Sequence, residues 1–122
     1  MSQVSDTKPS IHIHEAGAAS AHLSEICAGM EEEGIPFTVV KSTGDAKTLA
    51  HEAANHSRLR VGIGITQESA QLQIRNCPDF SSTTSGPDPQ APTLNIKLDN
   101  PTPKCRALGT NAARAVKGGT FI

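Results

Sequence analysis

The amino-acid sequence predicts one α/β domain of three layers, an open sheet of about four to five mostly parallel strands flanked by helices. Three observations predict it. The first half of the chain alternates short β-branched runs with stretches of helical period, in the order β-α-β-α-β. One run, "VGIGIT" at 61–66, is apolar at nearly every position, as a strand covered on both faces is. The helical stretches carry narrow stripes rich in alanine, and small residues let a helix lie close on a sheet.

Each element has its local reason. Residues 1–10 are polar and read as a flexible tail, leaving 11–122 as the single domain. Ile11 and Ile13 alternate with His12 and His14, which predicts a short strand near a sheet edge. Ser20 is the expected N-cap of a helix in which Leu23, Ile26, Cys27 and Met30 recur at helical spacing. Gly34 supplies the left-handed residue that ends it, Pro36 forbids its resumption, and "FTVV" has the bulk of a strand. "GDAKTLAHEAANHS" is a second helix with the stripe Leu49, Ala50, Ala53, Ala54, and "RLRVGIGIT" is a third strand. "QLQIRN" follows "TQES" so closely that it returns antiparallel as a hairpin strand. The Pro- and Ser-rich segment 77–92 is a surface loop, and "TLNIKL" is one more strand. The last helix keeps Leu108, Ala112, Ala115 and Val116 inward and ends at Gly118-Gly119.

Composition excludes several functions. The aromatics are Phe37, Phe80 and Phe121, with no Trp or Tyr, so no stacking platform for single-stranded nucleic acid exists. A net charge of -1 gives no basic field for nucleic acid or an anionic membrane. No apolar run approaches the ~20 residues needed to cross a bilayer. The N-terminal "MSQVSDTKPS" has no apolar signal region, so a cytoplasmic setting is expected. Cys27, Cys77 and Cys105 are odd in number and widely spaced, which reads as reduced thiols.

The motifs that invite chemistry are thin. Gly62 and Gly64 lie inside an apolar run rather than after it, and no G-x-x-x-x-G-K-[ST] is present, so this chain is not expected to bind nucleotide. Close helix approach explains these glycines better. His12 and His14 share one strand face, but two metal ligands are too few and no spacing recruits a third. No G-x-S-x-G is present, and no catalytic constellation can be defended from spacing.

Two segments stand out. In "GMEEEGIPF", Glu31, Glu32 and Glu33 face the negative end of a helix macrodipole, a cost of a few tenths up to about 1 kcal/mol each. With no cation among them, they are either solvated or held for a use. In "CRALGTNAARAVKG", Arg106, Asn111, Arg114 and Lys117 lie beside small residues on a short helix. That pattern suits a basic helix packed on the sheet by its alanines, or a protein-binding face with arginine anchors.

The pieces "GMEEEGIPF", "ANHSRLRVGIGI" and "RALGTNAARAVKG", in this order and spacing, resemble the small subunit of the diol/glycerol dehydratase reactivating factor. That family's pattern has an "EEEGIPF"-type acidic corner, an "SSPLRVGIG"-type strand entry and an "LGNNAARLVKG"-type last helix. The likeness runs from about residue 11 to 118, and the third motif is the most specific. The family is similar in turn to the medium subunit of the dehydratase, whose fold is the one expected here. That subunit is usually longer at its N-terminus, so a chain of 122 residues favours the reactivase. A dehydratase medium subunit, or a stand-alone homo-oligomeric binding module, are the alternatives.

The resemblance implies a non-catalytic subunit that pairs with a large, chaperone-like ATPase subunit. The factor docks on the dehydratase catalytic subunit, displaces a dehydratase subunit, and lets damaged cobalamin leave. The implied cofactors, Mg2+ and ATP or ADP, belong to the large subunit, and none to this chain alone. By motif, Glu32 is the acid that reaches a divalent cation of the large subunit. One carboxylate from a partner suits magnesium, which keeps several waters. Glu31, Glu33, Arg106, Asn111, Arg114 and Lys117 are the expected interface residues. Neither nucleic acid nor membrane is an expected partner, and the setting is cytoplasmic, with microcompartment association open.

Overall fold

The computed structural model describes residues 9–74, 95–98 and 103–118. The expected loop at 77–92, Cys77 and most of the expected tail lie outside the described residues. The element order is β1 (Ile11–Ala16), α1 (Ser20–Glu32), β2 (Phe37–Lys41), α2 (Ala46–His56), β3 (Val61–Thr66), β4 (Ser69–Ile74), β5 (Asn95–Lys97) and α3 (Pro103–Lys117). The strands form one five-stranded sheet in the order β2-β1-β3-β4-β5.

Two expectations about the sheet need correcting. β1 is near an edge but not exposed as one: it is the second strand, flanked by β2 and β3 in parallel register. Its alternating histidines suggest a wet face, but α2 lies over them, and His14 is only 4% exposed. The sheet is also mixed rather than mostly parallel: β1 pairs in parallel with β2 and β3, while β3–β4 and β4–β5 are antiparallel. The turn between β3 and β4 is too short for a crossover, and the Thr66 hydroxyl fixes it by accepting from the Glu68 and Ser69 N–H groups at 3.1 and 3.3 Å.

The three layers follow from side-chain alternation. On one face, Gly62 and Gly64 of β3 lie directly beneath α2. A Cβ on either would come under 3.0 Å from α2 backbone, at Ala54 and Ala46 respectively. Absent side chains on the strand and small ones on the helix are thus one device, and Leu49, Ala50, Ala53 and Ala54 are buried as their spacing predicts. On the other face, Ile11, Ile13, Val61, Ile63, Ile65 and Leu72 form the apolar core with Ile26 and Met30 of α1 and Leu108 and Ala112 of α3.

Helix ends are settled locally. Asp45 caps α2 by accepting from the Thr48 N–H at 2.8 Å. Ser20 is the first residue of α1 rather than its cap; the N-cap is Ala19, with no side-chain bond. The "NHSRLR" entry to β3 is a structural motif. The buried Ser57 hydroxyl donates to the Ser10 carbonyl at 2.7 Å and accepts from the Leu59 N–H at 3.0 Å. Arg60 then turns the chain in the left-handed region at φ 68.

Candidate functional site

The acidic corner has a defined backbone geometry. α1 ends at Glu32, with Glu33 as C-cap and Gly34 at φ 76. The Gly34 N–H donates to the Glu31 carbonyl at 3.0 Å, and the Ile35 N–H reaches back to the Met30 carbonyl at 3.2 Å. These are the two bonds of a Schellman motif, with Ile35 and Met30 as its apolar partners. Gly34 is therefore required by its backbone, and the carboxylates around it leave the helix end in defined directions.

The last helix supplies the cations that the corner lacks in sequence. Arg106 bridges Glu25 at 3.0 Å and Glu32 at 3.1 Å. Lys117 Nζ donates to the Glu33 carboxylate at 2.9 Å and to its carbonyl at 3.2 Å, and Arg114 lies 3.5 Å from the same carboxylate. The hydrogen bond from Lys117, helped by the charges of Lys117 and Arg114, holds the Glu33 carboxyl below its ordinary range. Positive side chains at the negative end of α1 repay the dipole cost that the sequence raises. The partners came from 74 to 84 residues away, so no local spacing reveals them.

The structure brings most of the expected residues to one surface. Glu31, Glu32, Arg106 and Lys117 are exposed there, and Glu33 and Arg114 are half-buried. Asn111 departs from the set: it is 0% exposed, inside the fold and not on a docking face of this chain. Glu31 differs in another way. Its carboxylate has no hydrogen bond or ion pair among the described residues, whereas Glu25, Glu32 and Glu33 are all engaged.

Sequence reasoning passes over the residues that hold this surface together. α1 and α3 cross at glycines: a Cβ on Gly29 would meet the Arg106 carbonyl and Thr110, and one on Gly109 the Ile26 carbonyl. Both glycines sit inside helical pattern at a propensity cost of about 1 kcal/mol, which is itself a signal of close packing. Glu25 is passed over as well, although it sits on the same helix as Glu32.

A second polar cluster lies under α2. His56 joins His12 and His14, with ring centroids 5.6 to 6.4 Å apart, and Glu52 stands 3.8 Å from His14. Burial, then neighbouring imidazoles, push the pKa values of His12 and His14 down. Neither His14 nitrogen has a hydrogen-bond partner among the described residues, and no group of three or more His, Cys, Asp or Glu there is arranged to hold a metal. Burial, then the charge of Glu31, pushes the Cys27 thiol up to about 11, and burial, then the charge of Glu25, pushes the Cys105 thiol up as well. No helix of the described residues is long and apolar enough to cross a membrane.

Comparison with known proteins gives the family and the fold. The family model described as dehydratase medium subunit matches residues 8–121. The propanediol dehydratase-reactivating factor small subunit of Citrobacter freundii is 37% identical over 116 residues, covering 94% of this chain and 91% of the relative. The corresponding subunit of Salmonella typhimurium is 32% identical over 93% of this chain and 90% of its own length. Among solved structures, a diol dehydratase-reactivating factor complexed with ADP and Mg2+ aligns with a TM-score of 0.76 and 30% identity, covering 93% of this chain and 97% of the other. A glycerol dehydratase reactivase aligns at 0.77 and 28%, covering 93% and 96%.

Proposed function

Because this chain belongs to the dehydratase medium subunit family, and within it to the small subunits of diol and glycerol dehydratase-reactivating factors, we propose that it works by shape, without chemistry of its own. One observation carries the reading. The chain matches a model of a dehydratase subunit over 8–121, while its curated relatives are subunits of the factor that reactivates a dehydratase. A subunit with a dehydratase subunit's body is suited to take that subunit's place. In this reading it docks on a larger ATPase subunit, the pair engages the dehydratase catalytic subunit, and the displaced contact lets damaged cobalamin leave. Nucleotide and Mg2+ bind the larger subunit, and the whole acts in the cytoplasm, beside any microcompartment that houses the dehydratase.

Glu32 is the contact we assign to the larger subunit's cation. It is 56% exposed, it leaves a helix end locked by the Schellman motif, and it is held by Arg106 across the surface rather than in the interior. Carboxylate oxygen suits a hard divalent cation, and an exposed ion pair is weak enough to be exchanged. The test is Glu32→Gln in the complex with the larger subunit. The fold should be unchanged by circular dichroism, and the Mg2+ concentration needed for half-maximal association should rise by at least roughly tenfold. An unaltered Mg2+ dependence removes Glu32 from the role. Failure of the wild-type pair to release cobalamin from an inactivated dehydratase in the presence of ATP removes the function.

A further inference from the structure

Among the described residues β2 is an edge strand of the sheet, pairing with β1 and with no other strand. In that pairing the Ile11 N–H donates to the Pro36 carbonyl, and the Ser42 N–H donates to the Glu15 carbonyl. Backbone groups of successive residues in a strand point to opposite sides. Pro36, Thr38, Val40 and Ser42 therefore turn theirs toward β1, and Phe37, Val39 and Lys41 turn theirs outward. An outward row of this kind is a template for another strand unless something covers it.

The side chains around the edge are equally unfinished. Val39 is 41% exposed, the one large apolar residue so exposed among the described residues. It borders a groove with Leu23 and Cys27 of α1. A second groove, lined by Ile35, Pro36, Phe37, Leu59 and Val116, opens at the N-terminal end of the same strand. Glu31 lines both grooves. The patch is mainly apolar, with Ser20 and Ser24 on the α1 side of the first groove and one carboxylate at the junction, and that carboxylate is the one of the corner with no partner in this chain among the described residues.

We propose that the β2 edge receives an added strand from the larger partner subunit: an extended, apolar segment that carries a Lys or Arg opposite Glu31. Main-chain bonds to Phe37, Val39 and Lys41 would supply affinity, and the flanking grooves would select the side chains. Two features favour this occupant. An uncompensated carboxylate between mainly apolar grooves calls for a cation on an apolar strand. The patch is also continuous with Glu32, one residue further along the same helix end. The inference therefore rests on the reading that Glu32 faces the larger subunit.

Hydrogen exchange on the full chain, alone and with the co-expressed larger subunit, tests it. The Phe37, Val39 and Lys41 amides should exchange fast in the free chain and at least roughly tenfold slower in the complex. Val39→Asp and Glu31→Lys should each raise the Kd for the larger subunit by roughly tenfold or more, with thermal melts close to wild type. If the complex forms, but those amides stay unprotected and both variants bind as wild type does, this inference is wrong while the proposed function stands. If the wild-type chain does not bind the larger subunit at all, both are wrong. Protection of the same amides that grows with chain concentration, without the larger subunit, gives the edge to a second copy and overturns the assignment.

Discussion

The two faces of the sheet are held by different physics. Under α2 the contact is backbone on backbone: Gly62 and Gly64 below Ala46, Ala50, Ala53 and Ala54. Much of the rest of that face is polar, with His14, Gln71 and Gln73 all buried. Under α1 and α3 the sheet presents branched side chains, the two helices cross each other on Gly29 and Gly109, and the rim is a set of ion pairs. A glycine fit has one solution. Branched chains can repack, and surface charges can exchange partners. The residues assigned to docking all lie on or beside the second face, where a partner can be accommodated without unmaking the domain.

The largest effect that probes this contrast is Gly64→Val. The new side chain would collide with α2 backbone, and neither the helix nor the central strand can retreat. A loss of about 3 kcal/mol or more is expected, which lowers Tm by on the order of 10 °C. Ile65→Val, one residue on and on the opposite face, should cost only about 0.5–1.5 kcal/mol. Urea melts of the two variants decide the matter. Similar losses would mean that the faces do not differ in tolerance.

The same contrast explains what the sequence could reveal. The α2 stripe, the glycines of β3 and its burial on both faces were legible, because they are written in consecutive residues with a period. The Schellman end of α1 was legible too, since Gly34 and Pro36 lie within the corner itself. Illegible was whatever joined distant segments. The cations of Arg106 and Lys117 reach Glu32 and Glu33 across 74 and 84 residues. His56 meets His12 and His14 only because α2 folds over β1, which also covers the strand face that its histidines suggested was wet. Asn111 sat among exposed cations in sequence, yet helical rotation carries it inward. The helix crossing at Gly29 and Gly109 left only a propensity anomaly as its trace.

Acid should separate the faces by a smaller effect. Burial, then the charges of His56 on His14 and of His14 and His56 on His12, hold both imidazoles below their ordinary value of 6.5, although Glu52 pulls His14 the other way. A depressed histidine binds more protons unfolded than folded. Its contribution is therefore present above 6.5 and is lost as pH falls from there through the folded value. Glu33 is also depressed, from an ordinary 4.5, chiefly by its hydrogen bond from Lys117. Its contribution is present above 4.5 and is lost only below that. Urea midpoints measured from pH 8 to 3 should show two separate declines, the first flattened by His14→Gln and the second by Lys117→Met. One decline confined to the carboxylate range would show that the histidine cluster is not buried as described.

The smallest effect bears most directly on function. Arg106 and its partners Glu25 and Glu32 are 46%, 33% and 56% exposed, so solvent screens the clamp. Arg106→Ala should cost less than about 1 kcal/mol, and most of that should vanish in 1 M salt, where the Debye length is about 3 Å. A double-mutant cycle with Glu32→Gln isolates the pair, and a coupling of roughly 0.5 kcal/mol is expected. The size matters because Glu32 can be given to a partner's cation only if this chain can spare it. A coupling above about 2 kcal/mol would make the clamp part of the fold. Donating Glu32 would then loosen α1 from α3 at the surface where docking is proposed.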